Sequence, residues 1–288
     1  IAKELIMEIY PGIQLPEIME MIQKANKDSI PLCYDNGNIL LYRDYIATNI
    51  SSKQNPLNIL TDNPKKFSIG IISDTHLGSK AFKGKELNTF YDYLEKNNIQ
   101  YCLHAGDWVD GMGVYSGQEF EQDCIGFGKQ VDFFVDNYPR RKNIKTIGIS
   151  GNHDYSFITK AGVDILQHIT LKREDIINIG VYQGIVNINN VKFMLHHPDG
   201  GNSYALSYKL QKILETLENN INVFIMGHYH QNILLHGYKS DIALMPGSFQ
   251  GETSFSIRKG LKNVIGGFIL DIDRSSGRIE YTTRWIKL

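Results

Sequence analysis

Five apolar runs in this 288-residue chain each stop at a cluster of metal-ligand residues, and that recurrence constrains the fold more than any other feature. The first is FSIGIISDTHLG, where Phe67, Ile69, Ile71 and Ile72 give way to Asp74 and His76. Ile99–Ala105 runs into Gly106-Asp107-Trp108-Val109-Asp110-Gly111, and Ile144–Ile149 into Gly151-Asn152-His153-Asp154. Val191–Leu195 ends in His196-His197-Pro198, and Val223–Met226 in Gly227-His228-Tyr229-His230. Strands of an open α/β sheet bind ligands in the crevice beyond their carboxyl ends. Caps and turns do not call for carboxylates and imidazoles at every such end, so one shared site is expected.

Between these strands the apolar spacing predicts helices. Glu86–Asn97 has Leu87, Phe90, Tyr91 and Leu94 on one face, and Phe120–Tyr138 has Phe127, Val131, Phe134 and Val135. Gly162–Thr170 and Ser203–Asn219 follow the same rule. Ile176–Ile179 reads as a strand, and Val181–Asn187 pairs with Val191–Leu195 across Asn189-Asn190. The rest is β: Ile233–Tyr238, Ile242–Met245, Gly266–Ile272 and Ile279–Ile286. Strands alternating with helices, then a run of strands, give a two-sheet α/β sandwich over residues 67–288.

Residues 1–50 differ and read as a small winged-helix-like module. Ala2–Tyr10 forms a first helix, Pro16 opens a second, and Ile30–Tyr34 with Ile39–Tyr42 flank the turn Asp35-Asn36-Gly37-Asn38. Lys24 and Lys27 are the only cations of its second helix, so a protein contact is expected of this module rather than a basic recognition surface. Residues 51–66, rich in Ser, Asn and Pro, read as a linker.

Composition sets bounds. Lys+Arg 30 against Asp+Glu 31 gives a net charge of −1, so any nucleic-acid contact rests on local patches. Three cysteines, Cys33, Cys102 and Cys124, are too few and too scattered for a disulfide framework or a zinc motif. No apolar run reaches the roughly 18 residues of a membrane span, and no leader segment is legible. A cytoplasmic protein without membrane contact is the expectation.

Carboxylate, imidazole and amide donors suit divalent Mn, Fe, Zn or similar ions. Asp74, His76 and His230 are expected on one ion, and Asn152, His196 and His228 on a second, with Asp107 bridging. Two ions about 4 Å apart lower the pKa of a shared water and clamp both oxygens of an in-line displacement, which is phosphoester chemistry. His153, next to a ligand, is expected to face the substrate as a proton donor, with Asp154 orienting its imidazole.

These motifs, Asp-x-His, Gly-Asp-x-x-Asp, Gly-Asn-His-Asp, a His after a strand and Gly-His-x-His, resemble the calcineurin-like metallophosphoesterases over residues 67–288. The resemblance implies a four-layer α/β/β/α metallophosphoesterase sandwich, a dinuclear centre of Mn, Fe, Zn or Ni, and hydrolysis by a metal-bound hydroxide. In the fourth motif either histidine fits; family members reading His-x-Pro favour His196 as ligand, leaving His197 for substrate. The flanks ISDTHLGSKAF and GDWVDGMGVYSGQE, and more loosely PGSFQGET, are similar to the exonuclease subunit of the archaeal D-family DNA polymerase. Asp-x-His-Leu-Gly is similar to DNA-repair nucleases. Both imply a manganese-dependent nuclease or phosphodiesterase acting on DNA.

For a nucleic-acid backbone the expected cations are Lys80, Lys83 and Lys85 after the first motif, and Arg258, Lys259 and Lys262 late in the chain. Trp108, Tyr115 and Phe249 are candidate base platforms, and His104 a core histidine. The expected function is phosphodiester hydrolysis of DNA. The alternatives are a phosphoesterase of small nucleotides or phosphomonoesters, and a weakly catalytic accessory subunit of a DNA-processing complex.

Overall fold

The computed structural model describes residues 56–288 other than 202, 206, 218 and 219, together with 14, 16–18, 20, 21, 24, 32–35 and 38–41. In the amino-terminal part, Pro16–Ile18 are helical, and β1 (Leu32–Asp35) pairs antiparallel with β2 (Asn38–Leu41). The expected helix Ala2–Tyr10 lies outside the described residues. Within the stretch expected as a linker, β3 (Leu57–Ile59) is instead an edge strand of the sandwich.

The strands that follow are β4 (Lys66–Ile72), β5 (Tyr101–His104), β6 (Lys145–Ser150), β7 (Ile176–Val181), β8 (Gln183–Ile188), β9 (Val191–His196) and β10 (Val223–Met226). The chain finishes with β11 (Asn232–His236), β12 (Ile242–Pro246), β13 (Gly266–Asp273) and β14 (Glu280–Lys287). They form two six-stranded sheets, in the orders β14-β13-β4-β5-β6-β7 and β11-β12-β10-β9-β8-β3. β4 to β7 run parallel, as do β9, β10 and β12. The β8–β9 hairpin turns at Asn189 and Asn190, with φ of 50° and 62°, the pair of positive angles that a two-residue turn demands.

Strand alternation sorts the core into layers. Ile69, Ile71, Leu103, Ile147 and Ile149 pack against Phe193, Leu195, Val223, Ile225 and Leu244 between the sheets. On the outside of the first sheet lie the helices Gly84–Lys96, Phe127–Asn137, Asn152–Ala161 and Ile165–Lys172. Tyr208–Thr216 covers the second sheet, where Leu210 and Leu214 meet Met194, Phe224 and Met245. The result is the expected four-layer α/β/β/α sandwich, with all site-bearing strands opening towards one edge. Among the described residues no helix is long and apolar enough to cross a membrane.

Two local departures shape the site. The helix expected from Phe120 begins only at Phe127, because Gly126 takes φ of 92° and the preceding residues dock elsewhere: Gln122 bonds Asp110, and Asp123 N–H donates to Gly78. The second is Asn152–Ala161, a helix that apolar spacing did not announce. Its first turn is made of the polar residues Asn152, His153 and Asp154.

Candidate metal centre

Each parallel strand releases its motif at the same edge, and the backbone there is unusual. Asp74, His76, Asp107, His228 and His230 all hold left-handed φ, between 46° and 81°. Such angles cost roughly 1–3 kcal/mol each at a residue with a Cβ, and persist only where surrounding structure enforces them. The enforcement is visible. Asp74 N–H donates to Gly106 O (2.9 Å), His76 N–H to Asp107 O (3.1 Å), and His228 N–H to the Asp74 carboxylate (3.0 Å). Gly151 has to be glycine for room: a Cβ there would sit 2.2 Å from Asp107 Oδ1.

The side chains form two adjoining groups. In the first, His76 Nε2 is 3.1 Å from His230 Nε2 and 3.9 Å from Asp74 Oδ1, and His230 Nε2 is 3.4 Å from Asp74 Oδ1. In the second, His197 Nε2 lies 3.1 Å from both Asp107 Oδ2 and Asn152 Oδ1, and His228 Nδ1 is 3.0 Å from Asn152 Oδ1. Asp107 stands between them, its Oδ2 also 3.8 Å from His76 Nε2.

Outer hydrogen bonds aim the ring nitrogens inward. His197 Nδ1–H donates to Ala105 O (2.7 Å) and His228 Nε2–H to Gly200 O (2.8 Å), leaving His197 Nε2 and His228 Nδ1 as the inward atoms. His76 Nδ1 faces the buried Asp110 carboxylate at 3.5 Å, which leaves Nε2 for the cluster. Asp110 is in turn gripped by Gln122 (2.8 Å), Gln250 (3.1 Å) and Gln118 (3.2 Å). Lone pairs converging on one another are a poor hydrogen-bond arrangement and a good donor set for divalent ions, so these residues fit a metal.

The electrostatics follow from packing acids and imidazoles out of water. Burial pushes the Asp74 carboxyl up, but the neighbouring His230 and His197 outweigh it and hold the group down at about 2. Asp107 is likewise held well below the usual carboxylate range, against its burial, by His197 and His153. Burial lowers His197 too, yet the Asp107 charge dominates and lifts the imidazole to about 10. Burial, then repulsion from His197, lowers His228 to about 4.

The structure brings Asp74, His76, Asp107, Asn152, His153, His228 and His230 together and leaves His196 out. β9 alternates, so His196 shares the outward side with Met194, and its ring stacks near Phe224 with centroids 6.1 Å apart. His197, one residue beyond the strand and fully buried, occupies the position expected of His196 rather than a place beside substrate. His153 N–H donates to Asp107 Oδ1 (2.8 Å) and its Nδ1–H to the Asp110 carbonyl (2.6 Å). Asp154 does not orient that imidazole. Its carboxylate accepts the N–H groups of Gly151 (2.8 Å), Trp108 and Val109 (both 3.0 Å), tying the second motif to the third. Burial and the Asp107 charge push Asp154 up to about 8.

A cavity of about 340 Å³ opens on this cluster, lined in part by His76, Asn152, His153, His228 and His230. Lys80, Arg258 and Lys259 do not line it: Lys80 Nζ donates to Phe120 O (3.0 Å), and the other two are exposed on and beside the short helix Ser254–Arg258. Trp108 and Phe249 are fully buried and offer no face to a base, whereas Tyr115 lines the cavity. His104 is the expected core histidine: Nδ1 accepts from Gly106 N–H, Nε2–H meets Thr75 Oγ1, and its ring stacks on Trp108 at 3.8 Å. Apolar spacing gave no sign of Asp110 as the partner of His76, or of Phe255 on the cavity wall. For Asp110 the signal was its place in Gly-Asp-x-x-Asp; for Phe255, on a five-residue helix, there was none.

The sequence is similar to those of several archaeal polymerase subunits. The DNA polymerase II small subunit of Methanocaldococcus jannaschii is 26% identical over 242 residues, covering 67% of this chain and 40% of that protein. The same-named subunit of Methanothermobacter thermautotrophicus is 25% identical over 238 residues (66% and 48%), and that of Archaeoglobus fulgidus 36% over 113 residues (34% and 23%). The chain thus spans less than half the length of these relatives. Among solved structures, zinc-complexed Vps29 from Entamoeba histolytica is 16% identical with a TM-score of 0.37, covering 76% of this chain and 99% of that one. A Staphylococcus aureus protein assigned as a 5′-nucleotidase is 9% identical with a TM-score of 0.41, covering 77% and 54%. A family model described as the calcineurin-like phosphoesterase superfamily domain matches residues 67–261, well over half of the chain, and the protein belongs to that superfamily.

Proposed function

We propose that this chain is a dinuclear metal-dependent phosphoesterase that hydrolyses phosphodiester bonds of DNA. The observation that carries the reading is the position of Asp107, whose Oδ2 lies 3.8 Å from His76 Nε2 and 3.1 Å from His197 Nε2, between two donor groups. Asp74, His76 and His230 would hold one ion, Asn152, His197 and His228 the other, and Asp107 both. Two bound divalent ions supply Lewis-acid charge for the phosphoryl oxygens and ionise water at neutral pH. Manganese is the proposed ion.

The remaining work falls to the chain. His153 lines the cavity, and with Nδ1–H committed to the Asp110 carbonyl it is the Nε2–H of the imidazolium form that would pass to the departing alkoxide, leaving the neutral ring. Its backbone N–H steadies Asp107, so the proton donor and the bridging carboxylate are positioned by one residue. DNA as substrate is supported by the relatives named as DNA polymerase II small subunits and by the motif flanks. Residues 1–50 are proposed as a winged-helix-like contact for a protein partner, which the β1–β2 hairpin supports.

The test compares the manganese-loaded chain on 5′-labelled single-stranded DNA, bis(p-nitrophenyl) phosphate and p-nitrophenyl phosphate. Shortened DNA, abolished by Asp107→Ala, supports the nuclease reading. Turnover of the small esters alone moves the substrate to small nucleotides. Full metal occupancy without turnover makes the chain an accessory subunit.

A further inference from the structure

The cavity has an aromatic part that the hydrolytic chemistry leaves without a task. Besides the donor cluster its lining includes Val114, Tyr115, Phe255 and Leu261. The polar residues Gln250, Thr253, Ser256 and Asn263 line it among them. Tyr115 belongs to the loop after the second motif, and Phe255 to the helix Ser254–Arg258 near the other end of the domain. Their rings stack, with centroids 4.8 Å apart and 27° between the planes.

Glu121 fastens the pair. Its Oε2 accepts the Tyr115 hydroxyl (2.7 Å) and its Oε1 the backbone N–H of Ser254 (2.6 Å), the first residue of Phe255's helix. Buried Gln118 accepts Val114 N–H (2.8 Å) and so pins the loop beside Tyr115. With the phenol hydroxyl engaged, what the pair presents is ring surface. Among the described residues no lysine or arginine lines the cavity, so an anionic ligand has to be taken by the donor cluster. The rest of the ligand meets a mainly apolar surface in which polar side chains such as Gln250 and Asn263 could serve a sugar, while the paired rings would be left uncovered by a sugar or simple alcohol alone. A nucleobase covers them, and stacking tolerates every base because each has a π face. At about 340 Å³ the cavity is at the small end of ligand sites, the scale of one nucleotide.

We propose that Tyr115 and Phe255 are the stacking platform for the nucleobase next to the cleaved bond, so that the substrate is a nucleotide unit with an unpaired base. This rests on the phosphoester chemistry proposed above and assigns the pair to specificity. Calorimetric titration of the manganese-loaded chain tests it, using the 5′- and 3′-monophosphates of 2′-deoxyadenosine against the matching 2-deoxyribose phosphates. One nucleotide isomer is expected to bind about 10–100-fold more tightly than its base-free counterpart. That ratio should collapse towards unity in Phe255→Ala and in Tyr115→Ala, and survive in Phe255→Tyr. A ratio near one in the unaltered protein, no binding of either nucleotide, or a ratio that persists in both alanine variants overturns the proposal. Because binding is the readout, these outcomes are separate from a failure of the nuclease reading, which shows as intact DNA.

Discussion

His76 Nε2 and His230 Nε2 lie 3.1 Å apart, with Asp74 Oδ1 3.4 Å from the latter. Two ring nitrogens and a carboxylate oxygen this close are stable together when a cation replaces the missing protons. Adding manganese to chelator-treated protein is therefore expected to raise Tm, by the equivalent of about 2.7 kcal/mol at a free ion concentration a hundred times Kd. His230→Ala should shrink the shift. Melting curves indifferent to both ion and chelator would remove the metal assignment.

The adjacent histidines His196 and His197 should part company. His197→Ala is expected to lose one of two ions, read by elemental analysis, and at least about a hundredfold in rate. His196→Ala should keep both ions and lose only the packing beside Phe224. The opposite pattern would restore His196 as the ligand.

His153 and Asp154 should separate in the same way. His153→Ala is expected to retain metal while losing about 10²–10⁴-fold in rate, most on esters with poor leaving groups. Asp154→Ala orphans three buried N–H groups, on the order of 1–3 kcal/mol each, and should appear first in urea unfolding of the metal-free protein. An Asp154→Ala protein as stable as the parent would contradict its role as a clamp.

Burial pushes the Cys102 thiol up to about 12, beyond what its contact with Tyr91 offsets. The fold favours the neutral thiol, so its contribution is intact below the unfolded pKa near 9 and is lost as pH rises from there towards 12. Up to about 1.4 kcal/mol per pH unit goes in that window. Urea unfolding between pH 8 and 11 should show the decline, with a shallower slope in Cys102→Ala. At pH 8.5 iodoacetamide should spare Cys102 in the folded protein.

The sequence announced the sheets and the edge at which they open, because apolar strands and the polar residues ending them are both local signals. It pointed to His196 where the structure points to His197, since facing depends on where the alternation of β9 gives out. The helix from Asn152 was hidden because its first turn is spent on the site. Trp108 and Phe249 looked available in loops, yet the loops fold inward and bury both. Phe255 escaped notice for the opposite reason: a five-residue helix leaves no period to read.

The left-handed angles at Asp74, His76, Asp107, His228 and His230 carry an evolutionary consequence. At each position glycine would relax the backbone, while only the resident side chain supplies a donor. Selection for folding and selection for chemistry therefore pull in opposite directions at the same five codons. A descendant freed from catalysis should drift there towards glycine or asparagine and gain stability as it goes, so the identity of these residues in any copy of the gene records whether its chemistry is still being used.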